Sequence, residues 1–246
     1  MKLTIATVVR NAAPLIQRTI SSVERQTYRN VEHLVIDGAS TDGTADICRA
    51  AGCRVVSEPD EGLYYAMNKA IALAEGDYIV FLNAGATLAD EGVLQRVVNA
   101  IYASFANPSG GADVVYGETD IVDAEGRFLR HRRLSVPERL TWRSFRHGML
   151  VCHQSFYVRT AMARLLPYDT SWRFSADFDW CIRALRPSRV VVRAEGVLTH
   201  YLDGGMTQAH HRASLIERLR IMARHYGWCT AIAMHAWFVI RAIVKR

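Results

Sequence analysis

Two acidic stretches and one polar helix carry the side chains best suited to hold and act on a polar ligand. In Leu34-Val-Ile-Asp-Gly-Ala-Ser-Thr-Asp-Gly-Thr44, a run of β-favouring residues ends at Asp37, and Gly38, Ser40, Asp42 and Gly43 then make a polar turn. An acid at the last position of a strand stands where open α/β sheets bind ligands. The same residues also suit an ordinary strand-to-helix turn in which Asp42 or Thr44 caps the next helix. Further on, Ser175-Ala-Asp-Phe-Asp179 reads as a turn entering a helix. Carboxylates two residues apart cannot share a helix face, so only one of Asp177 and Asp179 should point into a site. Asn68 and Lys69 occupy adjacent helical positions, and an ammonium there would suit a phosphate group. The nine histidines include no H-x-x-x-H pair with supporting acids, so nothing argues for zinc.

The elements that must position these groups alternate. Leu3–Val9 reads as a buried parallel strand, and Val31–Asp37, the short Arg54–Ser57 and Tyr78–Leu82 read as further strands. Between them lie a helix opened by Pro14, a helix from Thr44 to Ala51 stopped by Gly52, and a helix from Leu63 to Ala74. A further helix spans Glu91–Ala103, with Val93, Leu94, Val97, Val98 and Ile101 on one side. This alternation predicts an α/β fold with a mainly parallel central sheet flanked by helices. After the loop Asn107–Gly111, the pattern predicts a short strand Val114–Tyr116, a hairpin turning at Asp123–Gly126, and two strands, Val190–Arg193 and Gly196–Tyr201. From about Ala209 the chain reads as a helical extension.

At 246 residues the chain can bury a substantial core. Its net charge of +6 favours an anionic partner, such as a nucleotide, a phosphate-rich acceptor or a membrane surface. Arginines concentrate in Arg127–Arg146 and Arg212–Arg246, yet no nucleic-acid-binding module accompanies them. The five scattered cysteines read as reduced and structural in a cytosolic protein, and no signal peptide opens the sequence.

Six ordered blocks carry a resemblance: Ile5–Asn11, Val35–Thr44, Glu58–Lys69, Ala74–Asn83, His153-Gln154 and Ala176-Asp177. Together they resemble the family-2 inverting glycosyltransferases of the GT-A fold, in particular the bacterial subgroup that builds exopolysaccharide or lipopolysaccharide units. The resemblance covers about residues 1–207, leaving 208–246 as a separate C-terminal helical segment. It implies transfer of a sugar from a nucleotide-diphosphate donor, with UDP the default, to a hydroxyl of a saccharide or lipid-linked acceptor. Thr7, Asn11 and Asp37 would hold base and ribose, although Asn11 also fits a simple strand-end turn. Glu58 would add a donor contact, a role Asp60 could fill instead. Asn68, Lys69 and Asn83 would face the donor, with a solvated helix face as the alternative for Lys69. Asp177 would be the general base that deprotonates the acceptor, or else a helix cap. His153 and Gln154 match an acceptor-side pair, although His153 equally fits a structural hydrogen-bonder, and His200 with Asp203–Thr207 matches a closing loop over the diphosphate.

Departures from the pattern fall on the metal and catalytic elements. The resemblance implies Mg²⁺ or Mn²⁺ bound by a D-x-D-like element, but the position expected to be acidic is Ala86. Asp90 or His200 could substitute, and Asp90 also suits a cap of the following helix. Tyr65 and Ala176 likewise replace acids. These losses leave open a degenerate homologue that binds a nucleotide sugar without turnover. The C-terminal stretch Cys229–Val244 is too short to span a bilayer. Its basic and aromatic character suits the membrane interface at the inner face of the plasma membrane, or packing on the catalytic domain or on a second subunit.

Overall fold

The computed structural model describes residues 1–204 and 211–244. The strands are β1 (Leu3–Val9), β2 (Val31–Asp37), β3 (Arg54–Ser57), β4 (Tyr78–Phe81), β5 (Thr87–Leu88), β6 (Val114–Val122), β7 (Phe128–His131), β8 (Phe156–Arg159) and β9 (Val191–Leu202). They form one sheet ordered β3-β2-β1-β4-β8-β6-β9-β5, with β7 paired to β6. The first four strands are parallel, with Val9 level with Asp37 and Asp37 level with Ser57. β8 then joins antiparallel to both β4 and β6, while β6 and β9 run parallel. The GT-A-type fold expected from sequence is therefore present, with a mixed second half. Two predicted details change. The short strand and the first arm of the hairpin are one continuous β6, and the last two strands are one β9 that bends at Gly196 (φ +73°).

Helices cover both faces. Period-2 alternation sends Leu3, Ile5 and Val9 toward α1 (Ala13–Glu24), α2 (Thr44–Ala50) and α4 (Val93–Ser104), and Ala6 and Val8 to the other side. There α3 (Leu63–Leu73) and α6 (Ala176–Leu185) build the larger core. A short helix α5 (Thr160–Leu165) follows β8. The C-terminal helices α7 (His211–Tyr226) and α8 (Trp228–Val244) belong to that core too, through Ile221, Met222 and Ala231. The boundary at 207/208 and most of the expected closing loop lie outside the described residues.

Candidate active site

The stretch 35–44 ties three chain segments together. The Asp37 carboxylate is fully buried and accepts hydrogen bonds from the Ser40 amide (3.0 Å), the Ser40 hydroxyl and the Ser57 hydroxyl (2.6 Å), joining the ends of β2 and β3. Asn11, in the left-handed region at φ +49°, accepts from the Thr41 amide at 2.9 Å, and its own amide donates to Ser40 Oγ. Asp42 accepts from the Ala13 amide (3.0 Å), capping α1, and from the Thr44 amide and hydroxyl at the start of α2. The bonds are those of the turn reading: Asp37 and Asn11, expected to hold base and ribose, are spent within the loop at the carboxyl ends of the parallel strands and are not on the cavity wall.

A cavity of about 480 Å³ opens at those ends. Its wall includes Arg10 from the end of β1, Gly38 from the β2 turn, Asp60 after β3, Tyr64 of α3 and Asn83 after β4. From the second half come His153, Phe174, Asp177 and Tyr201. Of the residues expected from sequence, Asn83, His153 and Asp177 therefore line the same cavity, and Asp60 lines it in place of Glu58.

His153 Nδ1 lies 3.3 Å from Asp177 Oδ2, and both side chains are largely buried. Asp177 Oδ1 accepts the Phe178 amide at 2.9 Å in the first turn of α6, where the helix dipole favours an anion. Burial alone would raise the Asp177 pKa. The hydrogen bond from His153, with the charges of His153 and Arg218, outweighs burial and holds it below the ordinary carboxylate value. Asp179 faces the other way, held by Arg183 Nε at 2.6 Å and His225 Nε2 at 2.7 Å. Only one of the two acids reaches the cavity, as their spacing requires. Ala176 is fully buried in the core, so an acid at that position would have no water to meet.

Other expected residues are placed elsewhere. Thr7 is buried on the opposite face of β1 from Val8, donating to the Leu82 carbonyl at 2.8 Å and meeting His33 Nε2 at 3.0 Å. One residue of strand parity takes it out of reach of the cavity. Asn68 pairs with the backbone of Tyr168 in both directions (3.0 and 2.7 Å). Lys69 sits between Glu58 (2.6 Å) and Asp60 (2.7 Å), so its charge is spent on the loop after β3. Asp60 keeps its other oxygen buried without a partner. Gln154 is buried and accepts the Asn83 amide at 2.9 Å, positioning the end of β4. His200 lies in β9 opposite Asp120 and Thr87, outside the cavity wall.

A metal does not fit the residues expected to hold it. Ala86 is 2% exposed and packs in the apolar core with Leu88 and Leu94. Asp90 is bound through both oxygens by Arg96 at 2.8 Å. Among the described residues, no three of His, Cys, Asp and Glu gather as a metal would need. Sequence reasoning passed over Arg10, Tyr64, Phe174 and Tyr201. Of these, only Arg10 carried a usable signal, a cation directly before Asn11 at a strand end.

A mixed sheet with this topology and a polar cavity at its carboxyl edge is the architecture of GT-A-type nucleotide-sugar transferases. The chain belongs to glycosyl transferase family 2, whose model matches residues 4–165. It is 29% identical over 96% of its length, and 91% of theirs, to PGL/p-HBAD biosynthesis glycosyltransferases of Mycobacterium bovis and Mycobacterium tuberculosis. The fold is similar to that of S. aureus TarS 1-349 solved with UDP-GlcNAc (TM-score 0.69, 16% identity, 97% of this chain and 72% of that one). It is also similar to the Pyrobaculum calidifontis mannosyltransferase solved with GDP-Man and Mn²⁺ (TM-score 0.58, 19% identity, 97% and 75%).

Proposed function

We propose that the cavity binds a nucleoside diphosphate sugar, UDP-linked by default, and that Asp177 is the base of a one-step inverting transfer. The observation that carries this reading is the Asp177 carboxylate on the cavity wall, held below its ordinary pKa with His153 beside it. The carboxylate takes the proton of an acceptor hydroxyl as that oxygen bonds to the sugar's anomeric carbon. The bond from that carbon to the phosphate oxygen breaks at the same time, and the nucleoside diphosphate leaves. Asp60, with its free buried oxygen, is the donor contact after β3, and Asn83 lines the opposite side. Asp37 and Asn11 act by shaping the loop beneath.

The acceptor is a saccharide or a lipid-linked saccharide used in building cell-surface glycans, a reading supported by relatives named for PGL/p-HBAD biosynthesis. Among the described residues no helix is long and apolar enough to cross a membrane. The outer face of α8, where Trp228, Ile232, Trp237, Val239 and Ile240 are exposed, fits a protein resting on the cytoplasmic membrane surface. The test is donor hydrolysis or transfer with Asp177→Asn. Loss of turnover of at least about 100-fold with UDP binding retained supports the assignment. Unchanged turnover removes Asp177 from the chemistry. Binding without transfer by the native chain, across many acceptors, would make it a nucleotide-sugar-binding homologue instead.

A further inference from the structure

The site must meet the negative charge of a donor diphosphate, and the acids that would recruit a cation are missing. Gly85 sits at φ +89°, and a Cβ added there would stand 2.7 Å from Leu202 Cδ2. The carbonyl of Ala86 accepts Thr19 Oγ1 at 2.8 Å, and its methyl group belongs to the core. At Gly85 the left-handed backbone would strain any other residue, and at Ala86 an aspartate would carry its charge into the apolar core. Lys69, the cation expected at the donor, is consumed by Glu58 and Asp60.

Among the described residues, one permanent cation remains on the wall. Arg10 follows directly on β1, and its side chain lies across Gly38, where an added Cβ would be 3.5 Å from Arg10 Cβ and Cδ. Gly38 thus leaves room for Arg10 at the cavity, and the residue is exposed with no ion pair among the described residues. Of the acids near these strand ends, Glu58 pairs with Lys69 and Asp42 caps α1. A guanidinium presents a planar fork that matches two phosphate oxygens, and it needs no acidic ligands to hold it in place.

We infer that Arg10 neutralises the donor diphosphate in this chain, in the role a carboxylate-held divalent cation would otherwise take. The inference rests on the nucleotide-sugar reading and specifies the chemistry of its donor subsite. Arg10 contacts the phosphates in the bound state and stabilises the charge that grows on the leaving group as the anomeric bond breaks.

Calorimetric titration with UDP, GDP and uridine, each in EDTA and in MnCl₂, tests it on the native chain, Arg10→Ala and Arg10→Lys. The expected result is UDP or GDP binding that changes less than about 3-fold between EDTA and MnCl₂. Arg10→Ala should weaken it about 10- to 100-fold, Arg10→Lys should recover part of the loss, and uridine binding should be unchanged by either variant. Arg10 is exposed, so equal melting temperatures confirm that the variants fold. Diphosphate binding that requires MnCl₂, that ignores Arg10→Ala, or that falls in parallel with uridine binding overturns the inference while leaving the nucleotide-sugar reading standing. Absence of UDP and GDP binding under both conditions overturns that reading and the inference with it.

Discussion

Glu217 offers a direct measure of how far the C-terminal helix builds the active site. From α7 its two carboxylate oxygens accept the backbone amides of Arg173 and Phe174, each at 2.8 Å. Phe174 lines the cavity, and the next residue, Ser175, precedes the first turn of α6 that carries Asp177. A hydrogen bond to a charged group contributes about 1.5–3 kcal/mol when its loss leaves the partner buried. The Arg173 amide lies beside exposed surface where water replaces the lost acceptor, whereas Phe174 is half-buried. Glu217→Ala should therefore cost about 2–3 kcal/mol, most of it at Phe174. For a chain of this size that lowers Tm by about 5–10 °C. Glu217→Gln retains one acceptor oxygen and should fall between the two. Thermal melts of the three proteins suffice to check this. An Ala variant melting within about 1 °C of the native chain, or a Gln variant less stable than Ala, would refute the reasoning.

Three further outcomes follow from the same contacts. Burial would raise the Asp179 carboxyl, but the bonds from His225 and Arg183 hold it below its ordinary value, so its stabilisation is complete above the unfolded pKa near about 4 and is lost as pH falls through the lower folded value. Asp179→Asn should flatten this acid limb in melts followed from neutral to acidic pH, and should cost about 3–5 kcal/mol at neutral pH by leaving Arg183 and His225 without their anion. His153→Ala removes the group that offsets burial at Asp177, so the acid limb of kcat/KM should move to higher pH; a limb that stays in place would separate His153 from the base. Ala39 sits at φ +53°, and Ala39→Gly trades about 1–2 kcal/mol of left-handed strain against about 0.4–1 kcal/mol of added unfolded-chain entropy, for a net gain of up to about 1 kcal/mol in denaturant titrations.

The donor half of the fold was legible because its signals are local. Strand parity, Pro14, Gly52 and the polar turn at 37–43 each act within a few residues, and together they mark the first three strand ends. What sequence could not supply was long-range pairing. β8 is four residues long and takes its place between β4 and β6 only because both offer unpaired edges there. Asn68 reads as a donor contact until the backbone of Tyr168, one hundred residues later, satisfies both ends of its amide. Thr7 shows the cost of a one-residue ambiguity, since a polar side chain at a strand end can face either side of the sheet. Lys69 differs in kind. Glu58 and Asp60 lie close enough in sequence that their claim on it was available without coordinates.

The placement of Asp177 divides the site into a fixed part and an adjustable one. Around it in α6, Ala176, Phe178, Asp179, Trp180, Cys181 and Ile182 are all buried. Trp180 stacks on Tyr168 at 4.8 Å between centroids, and Tyr168 in turn stacks on Tyr64 at 5.5 Å, the residue that lines the cavity. Packing of this kind leaves a helix few alternative positions, because close-packed aromatic side chains do not slide without opening voids. Asp177 is thus held in place by core residues, which is the setting the proposed base needs if it is not to reorganise during the step. Arg10 has the opposite setting: it is exposed, with its side chain lying across Gly38. In the roles proposed for them, a long, flexible cation can follow a diphosphate as charge moves onto it, whereas a base must stay aligned with one hydroxyl. The different burial of the two groups matches that difference in task.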